Sequence, residues 1–123
     1  MTAAAPVGLG LDIVEIDRVE SLARSKPRFL QRVFSRQELR YCAPKKRRWQ
    51  HLSARFAAKE AVWKALGSAT KVSLKDISVG KSKGGKPEIL IKGKPAPHIQ
   101  LSLSHSEHYA LAVALILPSG AEP

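Results

Sequence analysis

One cysteine, three phenylalanines, two tryptophans, two tyrosines and ten acidic residues are the scarce materials of this 123-residue chain. A single cysteine, Cys42, excludes an internal disulfide framework and any multi-cysteine zinc site, and its neighbourhood holds no ligand cluster, so it reads as a small buried residue. No apolar run approaches the roughly 20 residues that span a bilayer. Met1–Pro6 lacks the charged and apolar regions of a signal peptide, which makes the cytoplasm the expected compartment. The length suits one domain over residues 1–123, with a core of its own and ends, 1–6 and 118–123, expected to fray.

What is abundant is positive charge. Lys and Arg number 21, for a net charge of +11, and residues 21–59 hold twelve of them against one acid, Glu38. The remainder of the chain is balanced. An anionic partner follows, although Coulomb attraction does not say which anion.

The order of elements is α+β. Residues 7–13 read as a buried strand whose glycines admit a close neighbour, followed by a helix from Glu15 to Ser25 that Pro27 ends. Phe29, Leu30, Val33 and Phe34 mark a short second helix, and Ser35 with Glu38 is a capping-box pattern for a third, closed before Pro44. From Lys46 to Leu66 nothing breaks a helix, and Gly67 stands where a C-terminal cap belongs. Leu52, Phe56, Ala57, Trp63 and Leu66 keep helical spacing, and a run of alanines allows a sheet to approach closely. Four strands are expected over 72–79, 87–92, 99–104 and 109–117, the last two as a hairpin. One long core helix on an antiparallel sheet results.

Few residues in this frame carry chemistry. Gly8-Leu-Gly10 does not open a dinucleotide fingerprint, since Ile13 occupies the third glycine position. Asp12 is then a carboxylate at a strand end, either a cap for the next helix or a ligand. Glu60 and Lys64 stand four apart on one helix face, either as a surface ion pair or, given the apolar neighbours Phe56, Ala57, Ala61 and Trp63, as a half-buried acid with its cation. Asp12 and Glu60 together suit a magnesium ion that keeps waters and substrate phosphates. Lys83-Gly84-Gly85-Lys86-Pro87 reads locally as a plain basic hairpin loop, with phosphate binding as the alternative. His105 and His108 lack a third zinc ligand. Arginines at 24, 28, 32, 36 and 40 recur every four residues, but Pro27 breaks their ridge into a surface patch.

Three of these segments in order, Gly8-Leu-Gly-Leu-Asp12 with Arg18, Arg55-Phe-Ala-Ala-Lys-Glu-Ala-Val-Trp-Lys64-Ala-Leu-Gly67, and Gly85-Lys-Pro87 with Leu103-Ser-His105, resemble the 4′-phosphopantetheinyl transferases, and among them the short holo-acyl-carrier-protein synthases. The resemblance implies that fold and transfer of 4′-phosphopantetheine from coenzyme A to a serine of apo-acyl carrier protein, with release of adenosine 3′,5′-bisphosphate. It implies Mg2+ on Asp12 and Glu60, with Glu60, Lys64 and Asp12 catalytic. Coenzyme A would meet Arg55, Lys59, Lys64, Gly84, Gly85, Lys86, Pro87 and His105, and the acidic carrier would meet Arg18, Arg24 and Arg28. A homotrimer with shared sites is also implied. The rival is a small, basic, non-enzymatic nucleic-acid-binding domain, which leaves Asp12 and Glu60 without a purpose.

Overall fold

A computed structural model describes residues 8–118, so most of the ends expected to fray lie outside the described residues. The elements are β1 (Gly8–Glu15), α1 (Ile16–Ser25), α2 (Phe29–Val33), α3 (Arg36–Cys42), α4 (Arg48–Leu66), β2 (Ile77–Lys81), β3 (Pro87–Ile91), β4 (Lys94–Pro95), β5 (Ile99–His105) and β6 (Tyr109–Ile116). They build two three-stranded antiparallel sheets, ordered β1-β6-β5 and β2-β3-β4, packed around α4. The expected α+β architecture is present, with the expected single sheet divided in two.

The alanine-rich side of α4 explains how close the first sheet comes. Ala57, Ala58, Ala61 and Ala65 are buried against Ala112, Ala114 and Ile116 of β6. Gly8 and Gly10 let the backbone of β1 meet the helix directly: a Cβ at Gly10 would lie 1.8 Å from the Ala61 carbonyl oxygen, and one at Gly8 2.2 Å from that of Ala65. Side chains alternate along a strand, so Asp12 falls on the same helix-facing side as Gly8 and Gly10. Backbone contact thus delivers Asp12 to the flank of α4.

The opposite side of this sheet is apolar and bare. Leu9, Leu11 and Ile13 on β1 and Tyr109, Leu111 and Val113 on β6 are exposed, Leu9 at 68%, and Leu11 pairs with Val113 and Ile13 with Leu111 across the register. A second core lies beyond the helix N-terminus, where Phe34, Cys42 and Leu52 are buried under Phe29, Tyr41 and Trp49. Cys42 is the small buried residue anticipated.

Some boundaries differ from expectation. The strand placed over 72–79 begins only at Ile77, because Ser73 and Asp76 cap each other's backbone: Ser73 N–H donates to Asp76 Oδ2 at 3.0 Å and Asp76 N–H to Ser73 Oγ at 3.3 Å. Residues 93–97, expected as a loop, include the two-residue β4, reached through a tight turn with positive φ at Lys92 (50°) and Gly93 (82°). Trp63, counted with the apolar stripe, is exposed, its indole N–H donating to the Val72 carbonyl at 3.1 Å. The Ser35 capping box and the β5–β6 hairpin occur as expected.

Candidate active site

Asp12, Glu60 and Lys64 converge where β1 leaves the side of α4. Lys64 Nζ donates to Asp12 Oδ1 at 2.9 Å and to the Leu11 carbonyl at 3.1 Å. Asp12 is 14% exposed, and its second oxygen, Oδ2, is buried with no hydrogen-bond partner. The helix-capping role for Asp12 is excluded, since α1 begins after Glu15 with no side-chain cap. Half-buried Glu60 lines a cleft of about 410 Å³ together with Asp12, Ile13, Arg18, Phe56 and Tyr109. Burial, and secondly the charge of Asp12, raise the Glu60 carboxyl above its ordinary range, with Lys64 opposing them. Two carboxylates therefore share one half-buried corner, with Lys64 bonded to Asp12 and Arg18 lining the same cleft.

That corner is the test of a metal. An orphaned carboxylate oxygen beside a second carboxylate held in a costly charged form is a hard, anionic donor pair that fits Mg2+. Among the described residues no group of three or more His, Cys, Asp or Glu forms a metal cluster. Further coordination would therefore fall to water and substrate phosphates, the usual habit of Mg2+.

A second, basic pocket of about 160 Å³ opens on the other side of α4, lined by Tyr41, His51, Arg55, Lys81, Pro87 and His105. Three cations crowd the Tyr41 ring: Arg55 Cζ at 4.4 Å, Lys45 Nζ at 4.5 Å and Lys81 Nζ at 5.1 Å from its centroid. Arg55 is buried, donates Nη1 to the His51 carbonyl at 3.4 Å, and keeps Nε buried without a partner. The Lys81 ammonium at the phenol, ahead of the charges of Lys45 and Arg55, holds Tyr41 below its usual range. Burial, then Arg55 and its neighbouring cations, depress His51 as well. An anion would relieve both effects.

Of the residues expected to meet coenzyme A, Arg55, Pro87 and His105 line this pocket, and Lys64 stands at the carboxylates. Gly84, Gly85 (φ 81°) and Lys86 form the exposed β2–β3 turn, where Lys86 Nζ donates to Gln100 Oε1 at 3.1 Å. Lys59 is a correction. Its side chain is 0% exposed and bound to Glu38 and the Ile77 carbonyl, so it reaches no ligand surface. Arg18 lines the carboxylate cleft. Arg24 pairs with Glu20 at 2.9 Å and lies over Trp49, while exposed Arg28 rims an apolar groove with Lys26, Phe29 and Arg32. Tyr41, His51 and Lys81 escaped the sequence reading. Tyr41 carries an aromatic ring and passed for core, and the only available signal was a basic strand end, Lys81, opposite a basic helix.

A carboxylate pair with an adjacent lysine on one side of α4 and a basic pocket on the other suit an anionic substrate. The chain belongs to the 4′-phosphopantetheinyl transferase superfamily, whose model matches residues 8–114. It is similar to a holo-[acyl-carrier-protein] synthase of Caldanaerobacter subterraneus, 37% identical over 87% of this chain and 91% of that protein. A Moorella thermoacetica protein of the same name is 41% identical over 92% and 95% of the two chains. The crystal structure of a holo-(acyl-carrier-protein) synthase from Bacillus anthracis in complex with CoA (3′,5′-ADP) matches with a TM-score of 0.79 and 34% identity, covering 93% of this chain and 98% of that one. The Helicobacter pylori holo-[acyl-carrier-protein] synthase in complex with coenzyme A matches with a TM-score of 0.72 and 31% identity, over 88% and 98%. The chain is thus an enzyme of phosphopantetheinyl transfer, which displaces the nucleic-acid-binding alternative. No helix among the described residues is long and apolar enough to cross a membrane.

Proposed function

We propose that this enzyme is a Mg2+-dependent holo-acyl-carrier-protein synthase that moves 4′-phosphopantetheine from coenzyme A to a serine hydroxyl of apo-acyl carrier protein. The observation that carries this reading is the unpartnered Asp12 Oδ2 beside half-buried Glu60. In the reaction the serine oxygen forms a bond to the phosphorus bearing pantetheine, and the phosphoanhydride bond breaks. Adenosine 3′,5′-bisphosphate leaves with the bridging oxygen. Asp12 and Glu60 would hold Mg2+, which when bound supplies positive charge against the pyrophosphate. Glu60, or a water that it orients, would take the proton of the serine hydroxyl. Lys64, an exposed side chain, would turn from Asp12 to the phosphoryl oxygens as negative charge builds there. Arg55, Pro87 and His105, with Tyr41 and Lys81, take the adenosine and phosphate end of coenzyme A.

Arg18 borders the cleft in which the serine must arrive, Arg24 lies further along α1, paired with Glu20, and exposed Arg28 stands at the start of α2. Acidic carrier proteins fit these arginines. Reversing Arg18 to Glu is expected to raise the Michaelis constant for the carrier by about tenfold and to leave that for coenzyme A within about twofold. The wild-type reaction should slow as salt rises beyond about 0.15 M, where the Debye length is about 8 Å. Steady-state kinetics on a variant of unchanged assembly checks this, and an equal loss of both substrates would place Arg18 in the coenzyme pocket instead.

The bare apolar sheet face supports assembly of copies of this chain into a homotrimer with shared sites. Contiguous exposed apolar area of this kind marks an interface, and Ile13 and Tyr109 belong both to that face and to the cleft. Val113→Lys should therefore reduce the sedimentation mass to that of one chain and lower transfer at micromolar protein. A trimer of undiminished stability in that variant would rule this face out. A transfer assay with apo-carrier, coenzyme A and Mg2+, read by the mass added to the carrier, tests the function itself.

A further inference from the structure

Glu38 and Lys59 are the two charged side chains most deeply withdrawn from water among the described residues, at 1% and 0% exposure, and neither touches the carboxylate cleft. Glu38 comes from α3, Lys59 from α4, and together they work on β2. Glu38 Oε1 accepts from Lys59 Nζ at 2.5 Å and from the Ser35 amide at 2.9 Å. Its Oε2 accepts from the Val79 amide at 2.9 Å, and Lys59 Nζ donates also to the Ile77 carbonyl. In the sheet β2 pairs with β3 on one side only. The ion pair therefore serves the open edge of β2 as a neighbouring strand would, with one donor and one acceptor in the right alternation.

Each element held by this pair also supplies one member of the basic pocket. Tyr41 follows Glu38 by three residues on α3, Arg55 precedes Lys59 by four on α4, and Lys81 follows Val79 by two on β2. Helical spacing of three or four and strand spacing of two both return a side chain to the same face. The three pocket residues therefore sit one repeat away from the three points where the pair grips. Lys45, the remaining cation at the Tyr41 ring, lies on the connection between α3 and α4 that the same pair ties down.

We propose that the buried Glu38–Lys59 pair is a positioning device that sets Tyr41, Arg55 and Lys81 into a single anion pocket, and through it governs affinity for the coenzyme. The link to the coenzyme rests on the reading of that pocket given above. The pair touches no substrate, so its effect belongs in binding rather than in the chemical step. A buried ion pair is often replaceable by apolar residues of similar volume without loss of stability. Here the pair also satisfies the Val79 amide and the Ile77 carbonyl, so its removal lowers stability as well, and positioning is read on the folded protein below its melting point.

The double variant Glu38→Leu/Lys59→Met is the instrument, because it removes both charges together while leaving the volume filled. Expected are a melting temperature lowered by the loss of partners for the Val79 amide and the Ile77 carbonyl, and, on the folded variant, a Michaelis constant for coenzyme A raised by about tenfold with a turnover number and carrier Michaelis constant within about twofold. In NMR the Tyr41 ring should titrate closer to its ordinary value, as Lys81 and Arg55 drift from it. A folded variant with an unchanged Tyr41 titration and unchanged coenzyme affinity would overturn the proposal. A moved Tyr41 titration with unchanged coenzyme affinity would keep the positioning role and remove the coenzyme from this pocket. Should the variant not fold, hydrogen exchange of the wild-type Val79 amide decides: protection equal to that of core amides is expected, and exchange at the rate of an open strand edge refutes the grip.

Discussion

Glu60→Gln is expected to lower transfer by roughly a thousandfold and, at neutral pH, to raise the melting temperature. The loss follows from removing a charge that a cation and a serine proton both require, while the amide keeps the shape. The gain follows from linkage. Burial and Asp12 raise the carboxyl's pKa in the folded state, so the folded protein holds that proton more tightly than the unfolded chain does. The resulting stabilisation is fully present below the unfolded value, about pH 4.3 for a glutamate, and is lost as pH rises through the higher folded value. At neutral pH ionised Glu60 therefore strains the fold, and glutamine relieves it. Thermal melts of both proteins across pH 4–8, in chelator and without Mg2+, should diverge towards neutrality and converge in acid. Divergence on acidification, or transfer within threefold of wild type, would contradict this role for Glu60.

Gly10→Ala should be the most damaging single methyl group in the chain. Its Cβ would lie 1.8 Å from the Ala61 carbonyl oxygen and 2.8 Å from the carbonyl carbon, both of them helix backbone that cannot rotate away. The strand must shift, and overpacking of this kind costs about 3 kcal/mol or more. For a chain of this length that corresponds to a melting temperature lower by roughly 10 °C. Because Asp12 is the next residue on that strand face, Mg2+ affinity measured by calorimetry should fall in whatever fraction remains folded. A variant with unchanged melting would mean that β1 and α4 do not touch through their backbones.

The carboxylate site was legible because its residues follow local rules. Asp12 follows Gly8 and Gly10 at the strand period of two, although the strand runs on to Glu15 rather than ending near Asp12, and Glu60 with Lys64 keeps an i, i+4 spacing among alanines. The basic pocket obeys no such rule. Tyr41, Arg55 and Lys81 come from three elements and meet only through tertiary packing, and no spacing along the chain joins them. Lys59 came to the ligand set through the resemblance alone, and only the docking of β2 and α3 over its side chain shows that it is closed off. Glu38 revealed half of its work. The capping box shows in Ser35 and Glu38 as sequence neighbours, but its grip on Val79 spans 41 positions. The five-residue delay in β2 arose from the reciprocal Ser73–Asp76 turn, which outweighs the strand preference of Val72.

An uncovered strand edge is also a template for the strands of other molecules. At Ile77 and Val79 the backbone groups that would recruit such a stranger are already occupied by Lys59 and Glu38. Neither charge can reach them until α3 and α4 have docked. Until both helices have docked, β2 therefore stays adhesive. Expression conditions that slow that docking should fill inclusion bodies before they empty the active site.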